Sequence, residues 1–362
     1  MDSITKQNFE QSLETLFSEI ARGKIKDGLL TPHNAGLTKF LLQQLMDHGT
    51  KKEDSVIKTL DTQLINVYPV ATNEHFISIS FTNRKTESNP VLQYIINLMA
   101  TQTKDGFTFS VPLDYFTRYW KTEKIGDITY HFRRNLNRER AEKFNSKNAE
   151  IAKKLGLTPE KLSFYMTDNF QEISELLGFG YSISSNGKYR DGLGVVSKTI
   201  FAVMNHEDFS HDIFHYYSGK IHDRSVRNWV VEEGMAYSWG NAYYTKKDGE
   251  MAEQEELIKT LKKYLAQNGD VNLLLLFENH FWKDKSGIFE HLAPDFKVGR
   301  LISSVICDAV YEKHGMQGIN KLLTLGAKPN QFDPFFKGVN NLMGINRNNF
   351  NERVHQLLEN RK

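Results

Sequence analysis

Apolar residues at Phe9, Leu13, Leu16, Phe17 and Ile20 recur every three or four positions, and Leu37 to Met46 repeat the pattern. This periodicity predicts two amphipathic helices within 4–48, parted by the Gly, Pro and Asn residues near 28–36. Between 61 and 133 the period shortens. Leu64 to Tyr68, His75 to Phe81, Gly106 to Val111 and Ile128 to Phe132 alternate and are rich in β-branched and aromatic side chains, as strands are. Val91 to Met99 fits a strand or a helix. A helical pattern returns over 136–155, then a short strand at Leu162 to Met166 and a helix around Phe170 to Leu177. Five glycines punctuate 178–194. Val195 to Val203 reads as a further strand. From 251 onward the chain is predicted helical, over 251–267, 270–279, 296–314, 316–325 and 347–360, with no internal repeat.

These elements predict an α+β protein with two domains. Residues 1–145 carry N-terminal helices and a small α+β domain with a curved antiparallel sheet. Residues 146–362 form a second domain ending in helices. The 362 residues are 40% hydrophobic and 25% charged, ordinary for a globular chain. A formal net charge of +2, with Lys and Arg scattered, gives no electrostatic footprint for nucleic acid. The densest basic run, Arg133 to Arg140, is interrupted by Asn and Glu and reads as the solvated start of a helix. The single Cys307 lies in an apolar run and excludes an intrachain disulfide framework. No stretch approaches the ~20 apolar residues of a membrane span. Met-Asp-Ser-Ile-Thr-Lys is not a signal peptide. The compartment stays open: cytoplasmic, or secreted or periplasmic for a chain whose leader has been trimmed.

One stretch carries chemistry. His211 and His215 stand four apart, so on a helix both imidazoles share a face and reach one cation. Seventeen residues separate His215 from Glu233, within Trp229-Val230-Val231-Glu232-Glu233-Gly234-Met235-Ala236. Two imidazoles and a carboxylate from a second helix suit zinc and leave its fourth position to water. Helical neighbours diverge by about 100°, so Glu232 and Glu233 cannot both face the pair. Glu233 is taken as the ligand, with Glu232 the alternative. The first helix is expected to end at Gly219, and small Gly234 and Ala236 to let the second pack closely on it. Asp212, after the first His, stands where a metallopeptidase carries a glutamate base, one methylene shorter. His206 with Glu207 lacks a second His four residues on and reads as a helix start. His222 falls in the loop. Trp120, Trp239 and Trp282 read as core or cleft-lining residues.

His211-Asp212-Ile213-Phe214-His215 and the Trp229 to Ala236 segment resemble the gluzincin (peptidase MA-like) zinc metallopeptidases. The second segment follows the W-x-x-E-G-x-A pattern with one extra residue before the Glu. The likeness covers roughly 160–350 and includes the helical run from Val298 to Gly315. Over 61–133 the chain resembles, more loosely, small cystatin-like or NTF2-like modules. The resemblance implies a Zn2+ ion held by His211, His215 and Glu233, Asp212 in the general-base position, and a peptide or protein substrate laid along an edge strand at 195–203. It also places Phe296 where aminopeptidase-type relatives have an oxyanion-stabilising tyrosine. Tyr189, Tyr216, Tyr217 and Tyr237 are the candidates to replace it.

Three functions therefore compete. The first is zinc-dependent peptide hydrolysis with Asp212 as base. The second is a catalytically impaired relative that binds peptides. The third is an HD-type phosphohydrolase reading of His211-Asp212, which needs a further His and Asp such as His75, His131 and Asp270. No P-loop and no G-x-S-x-G elbow is present in the sequence.

Overall fold

The computed structural model describes residues 3–47, 60–83, 90–182, 192–203, 205–326 and 332–361. In chain order the helices are α1 (Ser3–Ala21), α2 (Ala35–Asp47), α3 (Leu113–Thr117), α4 (Arg138–Lys154), α5 (Phe170–Leu176), α6 (Ser210–Ile221), α7 (Trp229–Met235), α8 (Gln254–Asn268), α9 (Leu273–Asn279), α10 (Val298–Leu323), α11 (Asp333–Met343) and α12 (Phe350–Glu359). The strands are β1 (Leu60–Ala71), β2 (Glu74–Asn83), β3 (Leu92–Thr103), β4 (Gly106–Ser110), β5 (Lys121–Ile125), β6 (Ile128–Phe132), β7 (Leu162–Met166), β8 (Phe179–Ser182), β9 (Leu193–Val196) and β10 (Thr199–Ala202). The protein is α+β: an N-terminal sheet region is followed by helices. No helix among the described residues is long and apolar enough to cross a membrane.

The chain divides into two compact units that are discontinuous in sequence. One comprises residues 1–122, 131–133 and 167–203; the other comprises 123–130, 134–166 and 204–362.

In the first unit β1, β2, β3 and β4 form an antiparallel meander, and β8 pairs with β3. Val91 to Met99, ambiguous in sequence, is strand from Leu92 onward, paired along its length by β2 and over Tyr94 to Ile96 by β8. The apolar stripe of α1 packs on this sheet, with Phe9 against Phe107 at 5.4 Å and Phe17 against Phe81 at 6.3 Å between ring centroids. Leu41, Leu42 and Leu45 of α2 are fully buried. The strand expected over 195–203 is a hairpin instead: Ser197 and Lys198 both take positive φ (48° and 64°), and β10 turns back onto β9. A two-residue turn of that kind suits the twist of its flanking strands. All four β10 residues are buried, and the Thr167 N–H and O–H both donate to the Ala202 carbonyl. The chain before the His-bearing helix is therefore not a free edge at Ala202.

In the second unit β5, β6 and β7 lie side by side, and Tyr130 of β6 stacks on Phe164 of β7 at 5.0 Å. Ten-residue and longer helices make up most of the remainder. The two helices predicted over 296–314 and 316–325 meet at Gly315, whose φ of 58° breaks α10 at that point. Helix α11 is absent from the sequence reading, although Pro334 in its first turn and a left-handed Gly344 at its end are ordinary start and stop signals.

Candidate metal centre

The site lies wholly in the second unit. Helix α6 carries His211 and His215, and α7 carries Glu232 and Glu233. Asn228 caps α7, its side-chain oxygen accepting the N–H groups of Val230 and Val231. Helix α6 continues to Ile221, two residues past the expected stop at Gly219. Gly234 does not serve the contact between α6 and α7. A Cβ there would lie 2.5 Å from Ser303 Oγ and 3.0 Å from the Ser303 carbonyl carbon, so Gly234 seats α7 on α10. The close approach to α6 is made by Gly240 instead. After Met235 the chain makes one turn of π-helix, Ala236–Gly240, a distortion often found at functional sites. A Cβ on Gly240 would lie 2.7 Å from the Ser210 carbonyl and 2.8 Å from His211 N and Cα.

That approach delivers Asn241 to His211. The His211 Nδ1–H donates to the Asn241 carbonyl at 3.0 Å, and the Asn241 side chain donates to Ser210 Oγ at 3.0 Å. The His215 Nδ1–H donates to Glu232 Oε1 at 3.1 Å, and Arg227 forms an ion pair with the same carboxylate. Both histidines thus commit their Nδ1 protons outward. A neutral imidazole has one donor and one acceptor nitrogen, so both Nε2 atoms carry lone pairs, and these face each other at 3.1 Å. Two lone pairs cannot rest against one another; a proton or a cation belongs between them.

Glu233 closes the triangle. Its Oε2 lies 3.5 Å from His211 Nε2, and its Oε1 lies 4.0 Å from His215 Nε2. Zinc bonds of roughly 2.0–2.2 Å at tetrahedral angles put ligand atoms about 3.3–3.5 Å apart. The two shorter separations are close to that span, and the third, 4.0 Å, is longer by at least about half an ångström. The two imidazoles and the carboxylate are a donor set able to hold a metal ion, with one Glu233 oxygen turning toward both rings. Among the described residues, His211, His215 and Glu233 are the group of His, Cys, Asp or Glu side chains whose donor atoms all lie within 4.8 Å of one another. His75, His131 and Asp270 do not enter it.

The surrounding charges act on Glu233 and on His215, and a raised His215 favours a proton on its Nε2 when no cation is bound. Burial alone raises the Glu233 carboxyl, but Arg300 and both histidines more than reverse it and hold it well below the usual range. Arg300 Nη1 lies 2.6 Å from Glu233 Oε2. Burial lowers the His215 ring, yet the Glu232 hydrogen bond and the charges of Glu233, Glu232 and Asp212 leave it raised. Asp212 is therefore near enough for its charge to be felt at His215. His215 is the most open ligand, with 21% of its side chain exposed against 5% for His211 and 9% for Glu233.

The tyrosines sort themselves by what they touch. Tyr216 donates to Glu160, and Tyr217 donates to Asn148, so both hydroxyls are committed away from the site. Tyr189 lies outside the described residues. Tyr237 packs edge-on against His211 at 5.7 Å, its buried hydroxyl pushed up to about 12 and accepting the Lys297 N–H. Tyr243, unforeseen in the sequence, lies 5.3 Å from His211 at a φ of 71°, a backbone conformation rare outside glycine. Phe296 is buried beside Phe289 and lines a pocket of about 270 Å³ with Asp284 and Lys285. Arg300, Asn241, Gly240 and the orienting role of Glu232 were also missed. Only the Glu-Glu doublet signalled one of them.

No protein-family model, no curated protein and no solved structure matches this chain.

Proposed function

We propose that this chain is a zinc-dependent hydrolase of peptides, a divergent gluzincin-like metallopeptidase. The single observation that carries the reading is the pair of Nε2 atoms facing each other at 3.1 Å beside Glu233, with both Nδ1 atoms hydrogen-bonded elsewhere. His211, His215 and Glu233 would hold the ion. When bound, zinc acidifies a water molecule and polarises a carbonyl. The remaining work falls to the protein. Asn241 and Glu232 fix the ring orientations, as partners behind metal-bound histidines do. Asp212 would take the proton from the water, and Tyr237 and Tyr243 wall the His211 side of the site. Metal analysis of the purified protein tests the ligand set: one equivalent of zinc is expected, and retention of it in His215→Ala would sink the assignment. Hydrolysis of a peptide library that vanishes in Asp212→Ala supports the base.

A second reading is that the chain binds zinc and peptide but hydrolyses poorly. The observation behind it is Phe296, whose ring packs on Phe289 and carries no donor at the place the resemblance assigns to an oxyanion-stabilising tyrosine. Losing such a donor typically costs ~3 kcal/mol of transition-state stabilisation. Stoichiometric zinc with no turnover across the library would favour this reading.

A further inference from the structure

We infer that Arg300 is a built-in counter-ion that stands in for the metal: it neutralises Glu233 in the metal-free protein and sets how tightly the ion is held. The inference rests on the metal-site reading above and adds a regulating residue to it.

Glu233 is a buried carboxylate between two imidazoles. A buried anion needs a positive partner to remain ionised and folded. Arg300 supplies one, with Nη1 at 2.6 Å from Glu233 Oε2. That oxygen is also the one nearest His211 Nε2, so the guanidinium and a bound ion draw on the same group.

The guanidinium does not arrive by chance rotation of a surface side chain. Gly299 permits the first turn of α10 to press against the chain below it; a Cβ there would lie 2.6 Å from the Phe277 carbonyl and 2.7 Å from Phe281 N and Cα. The turn is tied at its start, where Asp284 Oδ2 accepts the Val298 N–H at 2.7 Å. Arg300 then donates from Nε to the Phe281 carbonyl at 3.3 Å, lies 5.9 Å from the Trp282 ring centre, and keeps only 18% of its side chain exposed. A guanidinium held at three places cannot move aside at no cost when an ion enters. The two cations therefore compete. With Arg300 in place one carboxylate oxygen is engaged, leaving the other to ligate and favouring single-oxygen attachment of Glu233.

A purely structural tie between α7 and α10 would behave differently. Its removal would lower stability equally with and without zinc and leave zinc affinity unchanged.

The test is zinc affinity by chelator competition, with thermal unfolding of EDTA-treated and zinc-loaded protein, for the wild type, Arg300→Met and Arg300→Lys. Arg300→Met is expected to bind zinc at least about tenfold more tightly, because a nearby positive charge has been removed from a partly buried site. Its EDTA-treated form should melt below the EDTA-treated wild type, and zinc should raise its melting temperature by more. Arg300→Lys, which keeps the charge, should bind zinc more nearly as the wild type does. If Arg300→Met folds only with zinc, that outcome supports the inference; failure to fold even with zinc overturns it. Equal or weaker zinc binding by a folded Arg300→Met overturns it while leaving the metal site intact. A wild type that binds no zinc overturns the metal-site reading itself, and this inference with it.

Discussion

Two clusters of histidine and carboxylate lie within the same unit, one around His211 and His215, the other around His206. His206, Glu207 and Asp208 are buried, as are His211, Glu232 and Glu233, and by composition the two clusters look alike. Around His206 most groups pair with neighbours, though Glu207 Oε2, with Arg140 at 3.6 Å, makes no hydrogen bond among the described residues. The Asp208 N–H donates to His206 Nδ1 at 3.0 Å, Glu207 Oε1 accepts the Asn137 N–H at 2.7 Å, and Glu250 and Glu253 are paired with Arg140 and Lys143. At the other cluster both Nδ1–H groups donate outward and the lone pairs converge. His206 instead uses its Nδ1 lone pair inward, leaving Nε2 as the donor, 3.8 Å from Glu250. The direction of the second-nitrogen hydrogen bond, not the count of ligand-type residues, separates the candidate metal centre from the His206 cluster.

The largest expected effect tests that contrast directly. His215→Ala should lose zinc almost entirely, at least about a hundredfold in affinity, beyond the range seen for residues that merely orient a ligand. His206→Gln should keep its full equivalent. Comparable zinc in the two variants, measured by metal analysis after dialysis, would erase the distinction.

Next comes the backbone approach that orients His211. Gly240→Ala forces a Cβ into the backbone of Ser210 and His211 and should destabilise the fold by about 1–3 kcal/mol, as overpacking does, with some loss of zinc. Gly219→Ala, on the same helix α6, meets nothing closer than 3.8 Å and should be neutral or slightly stabilising. Denaturant midpoints compare the two. A third test concerns the Glu232 partner of His215. Glu232→Gln keeps an acceptor but removes its charge, and zinc affinity should fall about tenfold, the lower end for such partners. An unchanged chelator-competition curve would mean that Glu232 does not tune the ligand.

The smallest effect belongs to His206. Burial, the largest cause, together with Arg140 lowers its ring below the usual value, against the opposing pull of Asp208, Glu207 and Glu250. A lowered histidine binds its proton more readily when unfolded. Its contribution to stability is therefore full above the ordinary value near ~6.5 and is lost as pH falls through the folded value. Thermal midpoints of EDTA-treated protein should drop on acidification below about pH 6.5, and His206→Gln should flatten that slope. A slope as steep in the variant as in the wild type would assign it elsewhere.

Much of this was legible along the chain. The apolar periods placed α1, α2, β1, β2, β4 and the broken α10, because a buried face imposes its period on the sequence, and left β3 open between strand and helix. Spacing marked His211, His215 and Glu233, because residues four apart on one helix share a face. The hairpin of β9 and β10 was not legible. Ser197 and Lys198 lack the glycine or asparagine that usually announces a positive-φ turn, so their pattern joined two strands into one. Helix α11 was missed although its punctuation was ordinary.

The sequence by itself determined an α+β chain and a pair of histidines on one helix face with a carboxylate some turns away, since local periodicity needs only neighbours along the backbone. Tertiary structure alone set Glu233 beside the two Nε2 atoms and Glu232 on His215 Nδ1. It also brought the Asn241 carbonyl to His211 through Gly240 and set Arg300 against Glu233. Those contacts join residues thirty to seventy positions apart, and only the packing of α6, α7 and α10 settles where each proton, lone pair and charge points.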